Sequence, residues 1–266
     1  FLENKIMENI ILYCKSYDKD LNRVIELSNS IKKYNKDNIP FYISVPSKDV
    51  DLFKDKLPFY TQIIEDESVF KHKIPSGWHY QQYIKAFFYK LKISKYYVSL
   101  DSDCYFFKDF YVKDFLYKED IPYMVMTQHG DMLEWTDRYH KECFPFNPRE
   151  SHEEDYNFIK GVFNREGKIY HYGPNPFIWN TEVWEWLDKK IGIIKAFADR
   201  PNELNWYGEA TLAKGDKFMP CDPLFKCFHY EAQYSFYKQL GWTEEHLKPQ
   251  YMGVVMQSNC DLPIKY

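Results

Sequence analysis

Short apolar runs alternate along the first half of the chain with longer stretches in which apolar residues recur at helical spacing. Residues 10–13 (Ile-Ile-Leu-Tyr) read as a buried strand. Leu21, Val24, Ile25, Leu27, Ser28 and Ile31 then fall on one helical face up to Tyr34, with Asp18 or Asp20 as its cap or first-turn acid. Residues 41–45 read as a second strand, 50–57 as a short helix and 60–64 as a third strand. That order predicts a parallel α/β sheet, because parallel strands need crossover connections. A longer helix is expected over 78–91, with Tyr80, Tyr83, Ile84, Phe87, Phe88 and Leu91 on its apolar face, then strands at 96–100 and 123–127.

The second half is less regular. Residues 130–170 are polar and aromatic, with one helix expected at 152–164. Residues 177–179 read as a strand, 181–189 as a helix capped by Thr181, and 207–213 as helical. Residues 218–220 and 224–228 are strand-like. No internal repeat or Pro/Ser-rich linker interrupts the 266 residues, which reads as one domain with an elaborated second half.

Composition narrows the class. Tyr, Phe and Trp make up 20% of the chain, against a disordered protein. A net charge of −4 without long basic runs argues against binding nucleic acid through phosphate neutralisation. No run of eighteen apolar residues exists, so no transmembrane helix is expected, and residues 1–10 are too charged for a signal peptide. Cys14, Cys104, Cys143, Cys221, Cys227 and Cys260 are scattered, with no C-x-x-C pair, which predicts reduced thiols and a cytoplasmic location, with peripheral attachment to a membrane as its variant.

The most informative motif is Asp101-Ser102-Asp103, directly after the apolar strand at 96–100. Strand side chains two apart share a face, so the two carboxylates converge above the sheet's C-terminal edge, where open α/β sheets bind ligands. Such a pair suits a hard divalent cation that keeps phosphate or water as its other ligands. A solvated turn would also tolerate the triplet, but the flanking Tyr105, Phe106 and Phe107 would bury unpartnered carboxylates at a cost.

At these residues the chain resembles the GT-A-fold glycosyltransferases, nucleotide-sugar-dependent enzymes with a D-x-D motif. Gly77-Trp78-His79-Tyr80-Gln81-Gln82-Tyr83-Ile84-Lys85, followed by Tyr97-Val98-Ser99-Leu100-Asp101-Ser102-Asp103, is similar to a bacterial-type subgroup with a G-W-x-x-Q-Q-x-x-K helix before the D-x-D strand. The resemblance runs from about residue 10 to 229, with residues 130–170 unmatched. It implies an α/β, Rossmann-like GT-A domain whose mixed, mostly parallel central sheet is flanked by helices. Residues 1–127 would bind the nucleotide sugar and 128–266 the acceptor.

The resemblance further implies a metal-dependent, hexosyltransferase-type enzyme of polysaccharide biosynthesis. It would move a sugar from a nucleoside-diphosphate sugar, a UDP-sugar first, to a glycan, inverting the anomeric centre. A retaining enzyme, which needs no dedicated base, is the alternative. Mn²⁺ or Mg²⁺ would be held by Asp101, Asp103 and His229, although a histidine after an apolar strand also serves as a core residue. Ser16, Tyr17, Asp66, Gln81, Lys85, Asp101 and Asn175 would contact the donor. Lys85 reads equally as a diphosphate contact and as a snorkelling helix lysine. Gln82 reads first as solvating the helix's first turn, and Asp66 as one of a charged Glu65-Asp66-Glu67 loop. Glu203 is the first choice of base and Glu209 the second; a helix-start charge is the competing role. The aromatics within 130–180 and at 206–207 would line the acceptor side, with His171 in packing or sugar contact.

Two other classes share single features. Haloacid-dehalogenase-type phosphatases also place D-x-D after a strand, but there the motif opens the domain and Thr or Val stands where this chain has Tyr105. A non-catalytic carbohydrate-binding module would use the aromatics but would not need an α/β half.

Overall fold

The computed structural model describes residues 7–72, 74, 76–128 and 130–266. The charged stretch 1–10 therefore lies partly outside the described residues. Strand β1 (Glu8–Lys15) sits in the middle of a five-stranded sheet. The chain winds from it through α1 (Leu21–Tyr34), β2 (Phe41–Val45), α2 (Val50–Lys56) and β3 (Thr61–Glu65) to one edge. It returns through α3 (Asp66–Val69) and α4 (Gly77–Phe87) to β4 (Ser94–Leu100) on the other side of β1. The sheet order is β3-β2-β1-β4-β8, parallel except for β8 (Phe177–Asn180), which runs antiparallel to β4. The fold is thus α/β, with a mainly parallel central sheet flanked by helices.

The alternation along β1 explains the two cores. Ile10, Leu12 and Cys14 face α1 and α2, packing with Val24, Leu27, Ile31 and Phe53. Ile11 and Tyr13 face α4, packing with Ile84, Phe87, Phe88 and Tyr97. A strand buried on both faces reads as a continuous apolar run, which is what parallel sheets require. The second core also takes Trp179, Trp184, Trp206 and Tyr207, all deeply buried. Residues 206–207 are therefore core and do not line an acceptor surface.

Two small sheets complete the molecule. β5 (Cys104–Phe106) pairs antiparallel with β11 (Gly253–Met256), which pairs parallel with β10 (Phe225–Phe228). β6 (Leu116–Lys118), β7 (Ile121–Val125) and β9 (Met219–Cys221) form the other. The remaining helices are α5 (Gly130–Tyr139), α6 (Arg149–Val162), α7 (Thr181–Lys190), α8 (Ile193–Asp199), α9 (Glu203–Lys214), α10 (Glu231–Gln239) and α11 (Glu244–Leu247). No described helix is long and apolar enough to cross a membrane.

Several local expectations are corrected. Asp20 stands at the N-cap of α1 as expected, but neither it nor Asp18 bonds the helix through its side chain; both belong to a 3-10 turn before it. The cap of α7 is Asn180, whose Oδ1 accepts from the Glu182 amide at 3.0 Å, while Thr181 donates to the Lys95 carbonyl. Residues 130–139, read as irregular, form α5. The expectation of six reduced thiols fails, since Cys143 and Cys260 form a disulfide across 117 residues, with Cα atoms 5.2 Å apart. Scattered spacing carries no signal of a pairing that only the tertiary fold creates.

Candidate functional site

The chain leaves β1 for β2 on one side and later returns to β4 on the other. The crevice between the C-terminal ends of β1 and β4 is therefore a topological switch point, where neighbouring connections diverge and leave room for a ligand. Lys15 ends β1 there, with Ser16 and Tyr17 after it, and the turn Asp101-Ser102-Asp103 follows β4. A cleft of ≈ 680 Å³ opens between them. Ser16, Tyr17, Gln81, Lys85, Asp101, Asp103, Asn175, Glu203 and His229 all line it, so residues spread over 214 positions (229 − 16 + 1) meet at one place.

Lys85 is the pivot. It is 2% exposed, so it does not snorkel. Its Nζ donates to Asp101 Oδ1 at 2.5 Å and lies 3.6 Å from Glu203 Oε1. Burial alone would depress the ammonium, but Asp101 and then Glu203 outweigh it and hold the lysine above its ordinary value. Glu203 is buried at the first turn of α9, and that burial raises its carboxyl against the pull of Lys85. Gln82 does not solvate a helix end: it is buried, and its Oε1 accepts from the Glu203 amide at 3.2 Å. Gln82 and Lys85, three residues apart on α4, thus hold the start of α9 from one helix face.

The D-x-D turn is held from several sides. Ser102 donates to Asp20 Oδ2 at 2.6 Å, and Asp103 Oδ2 accepts from the Ser258 amide at 2.8 Å. Asp103 Oδ1 is buried with no hydrogen-bond partner among the described residues. Burial and then the charge of Asp101 push the Asp103 carboxyl up to about 6. Two further buried oxygens facing the cleft, Ser16 Oγ and Asn175 Oδ1, also lack a partner among the described residues. Asn175 sits between the cis bonds Gly173–Pro174 and Asn175–Pro176, and its Nδ2 reaches the Ser99 carbonyl at 3.0 Å.

His229 follows β10. Its amide donates to Gln233 Oε1, its Nδ1 lies 3.7 Å from Cys227 Sγ, and burial lowers the imidazole to about 4. His171 is buried on the cleft wall and lowered to about 3 by burial. Both rings are neutral at pH 7. Among the described residues no three His, Cys, Asp or Glu side chains gather into one metal-binding group.

Two expected residues lie outside the cleft. Asp66 is fully buried and pairs with Lys15 Nζ at 2.9 Å; Lys15 also donates to the Ser16 carbonyl and itself lines the cleft. Burial pushes Asp66 up to about 6. Glu209 is gripped by Arg165 at 2.5 and 2.6 Å and by the Tyr172 hydroxyl at 2.9 Å. Those bonds tie the 163–172 segment to α9 and make Glu209 a brace.

Sequence reasoning missed Lys15, Asp20, Trp78, the α6 residues His152, Asp155 and Tyr156, and Gln257, Ser258 and Asn259, all on the cleft wall. Lys15 had a readable signal, as the residue ending the apolar run before Ser16. The 257–259 segment had none, because the strand that delivers it was not apparent.

The structure is an open α/β sheet with a cleft at its switch point, the position where such sheets take ligands. The profile of DUF6492, a family of unknown function, matches residues 5–211, and the chain belongs to that family. The matched span contains Lys85, the D-x-D turn and Glu203, and ends within α9, before His229. Among curated proteins no match is found.

Proposed function

We propose that this protein is a metal-dependent GT-A-type glycosyltransferase that moves a sugar from a nucleoside-diphosphate sugar to a glycan acceptor. The observation that carries the reading is the convergence at the switch point of a D-x-D pair, a buried lysine and a buried glutamate with raised carboxyl. A nucleotide would lie along the ends of β1 and β4, against Lys15, Ser16 and Tyr17. Asn175 would meet the donor sugar and Gln81 its hydroxyls.

The charge of the cleft supports a metal requirement. Among the described residues, Asp20, Asp101, Asp103, Asp155 and Glu203 line it against only Lys15 and Lys85. A diphosphate entering such a site needs added positive charge. Asp101 and Asp103, with His229 within the same wall, would hold Mn²⁺ or Mg²⁺, and the unpartnered Asp103 Oδ1 fits that role. Two carboxylates with diphosphate oxygens suffice for such ions, so a three-residue cage is not needed. When bound, the cation offsets the charge that develops on the leaving diphosphate.

Glu203 is the proposed base. It takes the acceptor hydroxyl proton as the oxygen attacks the anomeric carbon, which describes an inverting enzyme. Lys85 keeps it ionised and aimed, and its bond to Asp101 couples base and donor site. The test is hydrolysis of a panel of nucleotide sugars with Mn²⁺, which needs no known acceptor. Release of one nucleoside diphosphate, lost in EDTA, is expected. Glu203→Gln should keep donor binding and lose transfer by about 10²-fold or more; full transfer removes Glu203 from the role.

A further inference from the structure

The cysteines that overturn the expectation of reduced thiols lie beside residues of the cleft wall. Cys260 ends the 3-10 turn Ser258–Cys260, and Gln257, Ser258 and Asn259 line the cleft, with Ser258 bonded to Asp103. Cys143 follows α5 and the turn His140–Glu142, and Met132 of α5 lines the cleft as well. The Cys143 sulfur is 4.0 Å from the His229 carbonyl oxygen. One covalent bond thus ties together two stretches of cleft wall that the sequence keeps far apart.

Little of α5 is buried. Thr136 is its single buried residue, 3.0 Å from the Tyr230 hydroxyl. The other ties are peripheral and solvent-facing: Lys226 to Asp131 at 3.5 Å, Arg149 and Asn147 to the exposed Asp137, Trp135 against Phe236, and, from the turn after α5, the Glu142 carboxylate to the Ala232 amide at 3.3 Å. The turn carrying Cys260 has no buried residue. Segments with so few buried contacts open at low free energy unless something staples them.

We propose that the Cys143–Cys260 disulfide is a thiol–disulfide exchange site that clasps the cleft, released by a dithiol reductant. A thiolate of the reductant attacks one sulfur, the S–S bond breaks, and a mixed disulfide forms. The reductant's second thiol then displaces it. Two electrons and two protons end on Cys143 and Cys260, and the reductant leaves as its disulfide. Both cysteines are half-buried, so attack requires no opening of the core. Cys14, Cys104 and Cys227 are buried, and burial raises their thiols, Cys227 to about 12; Cys221 is raised by burial likewise. These four remain protonated and do not compete as nucleophiles. Oxidised, the clasp holds α5 and the 257–260 segment together beside Asp103 and His229. Reduced, α5 is released from the wall. The clasp rests on this geometry; its consequence for a nucleotide sugar rests on the proposed function.

Hydrogen exchange of the full chain, with and without dithiothreitol and with no nucleotide present, tests it. Amides of 130–147 and 257–260 should exchange about tenfold faster after reduction while β1 and β4 stay protected, and reoxidation should restore the first rate. Cys143→Ser should match the reduced wild type. Thiol titration of the denatured protein should find four thiols before reduction and six after. Unchanged exchange in 130–147, six thiols without reductant, or simultaneous loss of protection in β1 and β4 each overturns the clasp. None of these readings uses a nucleotide sugar, so a failed clasp and a failed transferase reading are told apart.

Discussion

At the scale of single residues, the cleft is governed by buried charges that can exist only in combination. Lys85 stands between Asp101 and Glu203, and removing it leaves two facing carboxylates with no counter-charge. Lys85→Met should therefore lose about 3 kcal/mol of unfolding free energy, since breaking a buried pair exposes its partners' desolvation cost. Urea denaturation at pH 7 measures this, and a loss below about 1 kcal/mol would mean that water already screens the triad. Adding Glu203→Gln to that variant should recover part of the loss.

Asp66 gives a second residue-scale test, with a pH signature. Burial raises its carboxyl in the folded chain to about 6, above the unfolded value. Its favourable contribution is then complete below about pH 4 and is lost as pH rises through about 6. Asp66→Asn does not titrate. The stability of wild type relative to this variant should fall by about 2 to 3 kcal/mol between pH 4 and 6.5. A difference that is flat, or that rises with pH, contradicts the raised carboxyl.

At the scale of elements, α9 shows how packing rather than propensity sets the site. Gly208 lies against the ring of Tyr172, and a Cβ built there would meet ring carbons at 2.2 to 2.3 Å. The ring cannot swing away freely, because its hydroxyl is bonded to Glu209. Gly208→Ala should cost about 1 to 3 kcal/mol despite the better helix former, as overpacked cores do. A urea midpoint equal to or above that of wild type would show that the 163–172 segment yields. The elements themselves were unequally legible. Residues 21–34 and 41–45 announce α1 and β2 through period and β-branched runs, and both lie where the pattern puts them. β5 and β11 are three and four residues long, too short to carry a period, so of the small sheet that brings Ser258 to Asp103 only β10 was visible, as the strand-like run at 224–228. Gln82 misled for a related reason: a polar residue on a helix reads as solvated unless the neighbouring helix is known. The strand that leads into the D-x-D turn was legible because an apolar run is a local property, whereas the pairing of Glu209 with Arg165 is a long-range one.

At the scale of the whole molecule, the sheet order turns scattered residues into one site, and that makes ligand binding and stability a single measurement. Among the described residues, the cleft wall holds unpartnered buried oxygens of Ser16, Asp103 and Asn175 and an excess of carboxylates over lysines. Each feature costs stability in the free chain and is relieved when hydrogen-bond donors and positive charge enter. A ligand that binds only the folded chain adds about 2.7 kcal/mol at a hundred times its dissociation constant. For a chain of this size that corresponds to a rise of roughly 5 to 10 °C in melting temperature. UDP and Mn²⁺ together should produce such a rise, and either alone a much smaller one, because the diphosphate meets net negative charge without the cation. EDTA should remove the effect, and Asp103→Ala should abolish it even in excess Mn²⁺. Equal stabilisation by UDP with and without Mn²⁺ would place the diphosphate on Lys15 and Lys85 alone and end the case for a metal. No shift with any common nucleoside diphosphate and either cation would end the case for a nucleotide, whatever the D-x-D turn resembles.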